Sequence, residues 1–336
     1  VNSKRIPSLD GLRAISIATV VVGHAARAHH FPKIWSAFGN TGVRIFFVIS
    51  GYLITSILLS EHARTGTINL REFYIRRAYR IFPAALVFLM FAVVMDWHQM
   101  TFLHVAVAFF YLANYDYARP WIFGHLWSLS VEEQFYILWP SVLKRWHQHR
   151  RAILLGVIAF APVLHVVLYA LKVPAGGDSL FPVIADNLAM GCLLAVLAPR
   201  IPRISGYLAL AMTAAVIFIP YYPAISLPRT LFMLFFLRPL FYMSIAGVVL
   251  HVIQVPYHFL NWPPIEWVGK ISYSLYLWQE PFCPNPYFRP VYAVLLALFA
   301  AILSYYLVEQ PMLKFREKRS RERRAVIAQA TVSPAA

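Results

Sequence analysis

The first strongly patterned stretch of the chain runs from Leu9 to Arg27. Between Ala14 and Ala26 its only titratable side chain is His24, so the segment reads as a membrane-spanning helix and not as a surface helix with one wet face. In helical geometry the step from Arg13 to His24 turns the chain through about 1100°, three full turns plus roughly 20°, with a rise of about 16 Å. Arg13 and His24 then share one face, Arg13 near a membrane surface and His24 deep in the hydrocarbon. Two readings fit that stripe: a binding channel with a reactive end, or a snorkelling arginine above a packed histidine.

Further apolar runs cover Val43–Leu59, Ile81–Val94, Phe102–Leu112, a segment leading into Tyr136–Pro140, Ile153–Leu171, Phe181–Leu197, Gly206–Ile219, Leu231–Ile253, Ile271–Phe282 and Val291–Val308. Basic residues between them set the orientation. Lys4 and Arg5, the Arg64–Arg80 stretch, Lys144–Arg151, Arg200 with Arg203, and the Lys314–Arg324 tail all belong on the cytoplasmic face. All runs crossing would put Lys144–Arg151 opposite Arg64–Arg80. Ten crossings satisfy the charges if one run between Ile81 and Pro140 fails to span, and the short Phe102–Leu112 run is the one expected to be re-entrant or to pair with its neighbour. The second half of the Arg64–Arg80 stretch is expected to lie as an interfacial helix. The expected fold is therefore all-α, a polytopic membrane bundle of about ten helices with both termini cytoplasmic. Residues 1–313 form the membrane domain, and 314–336 a basic tail disordered at its end.

Composition agrees. Of 336 residues, 60% are hydrophobic and only 13% charged, against about 25% charged in a soluble chain, and the mean hydropathy is +0.61. The formal net charge of +16 would ordinarily raise nucleic acid as a partner, but here the basic residues flank apolar segments, as topology requires, and no nucleic-acid partner is expected. Cys192 and Cys283 lie in or beside apolar runs without metal-ligand or disulfide spacing and read as packing residues; no metal is expected. The first span is long and carries a polar stripe, so it is expected to remain as a helix and not to be cleaved as a signal peptide.

Several polar positions stand out inside this apolar frame. Ser50-Gly51 within the second span permits close approach of a helix or of a ligand to the backbone. Glu132, Glu133 and Gln134 follow Ser128 and Ser130 into a probable span. A helix cap with acidic first-turn residues explains one carboxylate, not two and a glutamine. Arg76, Arg77 and Arg80, together with Arg13, suit phosphate oxygens, with anchoring on anionic lipid as the alternative. The His24 imidazole has an ordinary pKa near neutrality and suits proton transfer from a hydroxyl, or service as an acyl relay. Glu133 would orient or charge-pair with it, and Glu132 would cap its helix; spacing alone does not choose between the two. Asp186 and Glu309 are further boundary acids, with capping and packing polarity as their ordinary roles.

The motifs, in order, resemble the membrane-bound acyltransferase-3 family of bacterial O-acyltransferases. They are Ser8-Leu9-Asp10-Gly11-Leu12-Arg13-Ala14 with His24; Gly42-Val43 and Phe46-Phe47-Val48-Ile49-Ser50-Gly51-Tyr52-Leu53; Arg77-Ala78-Tyr79-Arg80-Ile81-Phe82-Pro83; Leu126 through Tyr136; Ile271 through Trp278, including Tyr276; and Val308-Glu309-Gln310-Pro311. Two positions depart: Arg44 stands where aspartate is common, and Gln279 where histidine is common. The soluble hydrolase-like domain that some members carry has no counterpart in this sequence. The resemblance implies transfer of an acyl group, usually acetyl, from cytoplasmic acyl-coenzyme A (acyl-CoA) to a hydroxyl of an exported carbohydrate, free or lipid-linked, such as a surface polysaccharide or lipopolysaccharide. It implies a multi-pass protein of the bacterial inner (plasma) membrane, in contact with membrane lipid. His24 and Glu133 are the catalytic candidates, and Arg13, Arg76, Arg77 and Arg80 the donor-binding ones. Asp10, Ser50, Gly51, Glu132, Tyr276 and Glu309 support substrate or structure. A proton-coupled transporter is the rival class. A structural scaffold would leave the Arg13–His24 stripe without a purpose.

Overall fold

A computed structural model describes residues 6–29, 31, 33–173, 179–219, 227–283, 287 and 289–332. The chain starts with α1 (Pro7–Ala28), where Pro7 supplies a helical φ in the first turn and Asp10 places a negative charge at the positive end of the helix dipole. Helix α2 (Lys33–Thr65) returns against α1. Gly66, at φ +73°, turns the chain, and the Asn69 side chain caps α3 (Leu70–Met95) by accepting from the Glu72 N–H at 3.1 Å. The expected interfacial helix and the Ile81–Val94 span are thus one continuous α3, with Arg71, Arg76, Arg77 and Arg80 in its first three turns and Pro83 accommodated inside it.

The run at Phe102–Leu112 does fall short of a crossing: α4 (Phe102–Phe109) has eight residues, and two residues beyond it Tyr111 turns the chain at φ +55°. Then come α5 (Leu126–Arg145), α6 (Arg150–Ala170), α7 (Phe181–Leu197) and α8 (Gly206–Phe218). Helix α9 (Leu227–Phe232) runs through a wide π-helical turn at Met233–Leu237 into α10 (Arg238–Gln254). The expected Ile271–Phe282 span is instead a short α11 (Pro263–Lys270), a seven-residue α12 (Ser272–Trp278), and a turn in which the Phe282 and Cys283 N–H groups both donate to the Gln279 carbonyl. Pro281, which has no N–H to give, stands where a continuing helix would need one. Finally α13 (Pro290–Ser304) passes through a second π-helical turn, Tyr305–Glu309, into α14 (Gln310–Val332).

The basic tail is therefore helical as far as Val332, with Glu317 and Lys318 each four residues ahead of an opposite charge, Arg321 and Glu322. The end expected to be disordered, 333–336, lies outside the described residues, as do Lys4 and Arg5.

Seven helices among the described residues are long and apolar enough to cross a membrane. They belong to α1, α2, α3, α6, α7, the α9–α10 unit and the α13–α14 unit. The sequence-based count of ten needs α5, α8 and α12 as well, which are more polar or shorter. Large apolar side chains point outward on α3 (Leu86, Met90, Val94), α6 (Leu155, Phe160) and α13 (Phe299), a lipid-facing surface.

Inside, one apolar cluster joins α1, α2, α3, α5, α7, α12 and α13 around Ile17, Phe47, Phe88 and Leu143. A second joins α1, α2, α7 and α10 around Val48, Tyr52, Ile245 and Val249. Between α2 and α7 the backbones nearly touch. A Cβ on Gly51 would meet the Leu188 carbonyl, and one on Gly191 the Val48 carbonyl, so dispersion contacts between the helices are made at the shortest range a chain permits. Gly51 thus serves helix packing.

Candidate active site

Three elements run through the site at three levels, and Arg77 and Arg80 of α3 join them at the first. Along α1 the residues are Arg13, then the apolar Ile17 and Val20, then His24. Along α12 and its following turn they are Ser272 and Tyr273, then Tyr276, then Gln279 and Glu280. Along α5, which runs the other way, they are Glu132 and Glu133, then Ser128, then His125 just before the helix. Spacings of three, four and seven residues keep each set on one helix face.

At the first level lies a cavity of ≈ 90 Å³, whose polar lining includes Arg13, Arg77, Arg80, Glu132, Glu133 and Tyr136. Arg13 pairs with Asp10 at 3.5 Å. Arg77 lies 3.6 Å from Glu133 and stacks 3.3 Å above the Tyr136 ring, so its cation faces both a carboxylate and an electron-rich ring. Glu132 accepts from the Ser50 hydroxyl at 2.6 Å. Among the described residues, Arg80 has no hydrogen-bond or ion-pair partner although it lines the cavity. The cavity thus holds three cations against two carboxylates, with one guanidinium unengaged.

Two braces fix this level. The Tyr273 hydroxyl donates to the Ile81 carbonyl at 3.0 Å, tying α12 to α3, and the π-helical turn after α13 aims buried Glu309 at the Ser274 hydroxyl.

Tyr276 and Ser128 make the second level. Their hydroxyls are 2.5 Å apart, and the Tyr276 hydroxyl also reaches the His125 carbonyl at 3.2 Å. This pair lines the cavity and separates it from the third level.

There the His24 Nδ1 lies 2.7 Å from Gln279 Oε1 and 3.0 Å from Glu280 Oε2. Gln279 Nε2 in turn donates to Glu280 Oε2 at 3.0 Å, which fixes the amide with its oxygen toward His24. Two acceptors on Nδ1 place the imidazole proton there and leave Nε2 free to take another. The second imidazole, His125, has a fully buried side chain packed edge-on against Phe88, with its Nδ1 3.8 Å from Glu280 Oε2. Gly124 makes room for the carboxylate, since a Cβ there would sit 2.7 Å from Glu280 Oε1.

This geometry corrects two expectations. The carboxylate against His24 is Glu280, not Glu133, which is a level away and faces Arg77. Helical adjacency puts Glu132 and Glu133 about 100° apart, so one turns to α2 and the other to α3, both into the cavity. Arg76 is not in the cavity; its guanidinium lies 3.8 Å from Glu61 on the α2–α3 corner. Gln134 points away from the cavity and holds the Tyr111–Asn114 turn by two 2.8 Å bonds. Glu280 and His125 were missed because both sit at the ends of apolar runs, where polar residues are unremarkable. The one available signal was Gln279, an odd residue in an otherwise matching motif.

A family profile described as "Acyltransferase domain" (acyltransferase-3) matches residues 6–309. The chain is 30% identical to the peptidoglycan O-acetyltransferase OatA of Listeria monocytogenes, over 93% of this chain and 56% of that protein. It is 29% identical to the putative peptidoglycan O-acetyltransferase YrhL of Bacillus subtilis, over 91% and 55%. With the O-acetyltransferase OatA of Staphylococcus aureus the identity is 31%, over 92% and 57%. The chain therefore spans about half the length of the curated relatives it matches. No solved structure matched.

Proposed function

Starting from the chain's membership of the acyltransferase-3 family, we propose that it moves an acyl group, acetyl in the simplest case, from acyl-CoA to a hydroxyl of a cell-wall carbohydrate of the peptidoglycan class. In this reading the donor's phosphates meet Arg80, Arg13 and Arg77 in the cavity, and its thioester end reaches past Ser128 and Tyr276 to His24. The acceptor hydroxyl gives its proton to His24 Nε2 as its oxygen attacks the thioester carbonyl carbon. The carbon–sulfur bond breaks, and the imidazolium returns the proton to the departing thiolate. Glu280 stabilises the imidazolium through Nδ1–H, as a buried carboxylate does for any histidine base. The observation that carries the reading is the vertical register: α1, α5 and α12 join a cavity lined by Arg13 and by Arg77 and Arg80 of α3 to a carboxylate-held imidazole, with one hydroxyl pair between them.

The same reading orients the molecule. The cavity end of α1 faces the cytoplasm, where acyl-CoA is made, with α5, α8 and the α11–α12 segment together with its following turn completing ten crossings of the plasma membrane and both termini inside.

The test is direct. Protein purified in lipid nanodiscs is given acetyl-CoA with a labelled acetyl group and soluble peptidoglycan fragments. Free thiol and acetylated fragment should appear together, one for one. A well-folded protein that neither binds acetyl-CoA nor releases thiol would refute the reading. It would return the field to a proton-coupled carrier, for which vesicle acidification on substrate addition is the matching assay.

A further inference from the structure

Val48 and Tyr52 of α2, Met190 and Leu194 of α7, and Tyr242 and Ile245 of α10 share one apolar cluster, and the three helices pack on one another. Each of these stripes is headed by a polar residue. Arg44 stands four residues before Val48, Asn187 three before Met190 and seven before Leu194, and Arg238 four before Tyr242 and seven before Ile245. Those spacings put all three on the faces that converge on the cluster. Arg44, Arg238 and Asp186, the last adjacent to Asn187 in sequence, all bear electrostatically on the Tyr242 hydroxyl, which places Arg44 and the start of α7 beside the same ring.

Arg238 is hydrogen-bonded through both Nη groups and ion-paired through its Nε. Its Nε is 3.0 Å from Asp186 Oδ2, one Nη donates to Asp186 Oδ1 at 3.1 Å and to the Val183 carbonyl, and the other faces His165 Nδ1 at 3.0 Å. Asp186 is thereby spent. Arg44 is left with a buried Nη1 that has no hydrogen-bond partner, and among the described residues no carboxylate lies within ion-pair distance of it. Asn187 is 0% exposed, and neither its amide nitrogen nor its amide oxygen has a partner. Two arginines against one aspartate leave one positive charge uncompensated between spanning helices. Arginine cannot shed that charge by losing a proton, and Gly42, two residues before Arg44, packs against Ser16 and Thr19 midway along α1, far from either end of the span. The side chain of Arg44 is only half-buried, so the cluster reaches the molecular surface.

We propose that Arg44 and Asn187, steadied by the Arg238–Asp186 pair, form a binding site for an oxyanion with a neighbouring hydroxyl, the chemistry of a phosphorylated or carboxylated sugar. The oxyanion accepts from the Arg44 fork and the Asn187 amide N–H, and the hydroxyl donates to Asn187 Oδ1, so every orphaned atom gains a partner of the right kind. A bare carboxylate or sulfate would satisfy the cation and leave Oδ1 unpaired. That the ligand is the acceptor rests on the proposed acyl transfer; the binding itself does not.

The experiment uses the full chain in phosphatidylcholine nanodiscs, titrated by calorimetry with glucose 1-phosphate, glucuronate, sulfate and glucose, with thermal midpoints recorded. The two charged sugars should bind, sulfate more weakly, and glucose not at all. Arg44→Gln should weaken the charged sugars at least about tenfold, the effect of one charge-assisted hydrogen bond. Arg44→Lys, which keeps the charge and loses the fork, should retain intermediate affinity and serves as the folded control. Asn187→Leu should narrow the gap between glucose 1-phosphate and sulfate. Nanodiscs of phosphatidylglycerol, whose headgroup carries a phosphate beside hydroxyls, separate the sources. Competition there identifies a lipid headgroup as the occupant of the same site; unchanged sugar affinity identifies a soluble or glycan ligand. Equal affinity in wild type and Arg44→Gln, or no binding of either charged sugar by the folded wild type in phosphatidylcholine, would overturn the site. Anion binding in a protein that transfers no acyl group would leave the site standing and remove the acyltransferase reading alone.

Discussion

The two ends of α1 solve opposite problems. Around Arg13 the chain builds room: a cavity with three guanidinium groups on two helices, one of them without a hydrogen-bond or ion-pair partner among the described residues, and two carboxylates. Around His24 it builds constraint. One imidazole nitrogen faces two acceptors at 2.7 and 3.0 Å, one of which is itself held by the other's amide. The first arrangement suits grip on a flexible, multiply charged ligand, because arginines are reoriented cheaply. The second suits chemistry, because a base is useful only in a fixed tautomer and direction. Transfer of a group from a large charged carrier needs both, and needs them apart.

Mutations should therefore separate turnover from donor binding. The largest effect is expected from His24→Ala, which should lower turnover by about 10²–10⁴-fold while leaving acetyl-CoA affinity nearly unchanged. Single-turnover rates alongside donor titration measure both, and a folded variant working at near the wild-type rate would make His24 a packing residue. Glu280→Gln keeps the shape that Gly124 accommodates but removes the charge, so turnover should fall about tenfold or more with the donor KM unmoved, the loss of roughly one charged hydrogen bond in the transition state. A fall in donor affinity instead would merge the two regions into one.

Next comes the cavity. Arg80→Ala should weaken donor binding by about 1.5–3 kcal/mol with turnover at saturation retained, since among the described residues Arg80 has no hydrogen-bond or ion-pair partner to lose. Arg77→Ala should match it and also lower the thermal midpoint, because Glu133 is then left buried without its cation. Identical behaviour of the two variants would mean that the Arg77–Glu133 pair is not formed in the membrane. The smallest effect is expected from Arg76→Ala: a partly exposed pair with Glu61 contributes about 0–1 kcal/mol, and donor KM should change less than about twofold. A loss as large as that of Arg80→Ala would place Arg76 on the donor after all.

Much of this arrangement was legible beforehand. Membrane helices are written in composition, because no water is available to the backbone of a span and each must satisfy its own hydrogen bonds over about 20 apolar residues. The alignment of Arg13 with His24 follows from helical pitch alone; charge counting asked one run between Ile81 and Pro140 to fail to span, and the shortness of Phe102–Leu112 singled it out. These are local properties, or sums of local properties.

What pairs with what is not local. Glu280 and His24 are 256 positions apart, and nothing near either residue announces the other. Glu133 was the expected partner for His24, and spacing alone did not separate it from Glu132. Once Pro281 and the Gln279 turn end α12 early, Glu280 is carried inward to the level of His24 and Glu133 stays with Arg77. Arg76 and Arg77 are neighbours in sequence and identical in chemistry, yet 100° of helical rotation sends one to a surface glutamate and the other into the cavity. The sequence alone determined that the chain lies in a membrane and which polar residues must be buried there. Which carboxylate each cation meets was decided only by the crossing of α1, α3, α5 and α12, because long-range electrostatic partners depend on helix rotation and depth, which packing sets for the molecule as a whole.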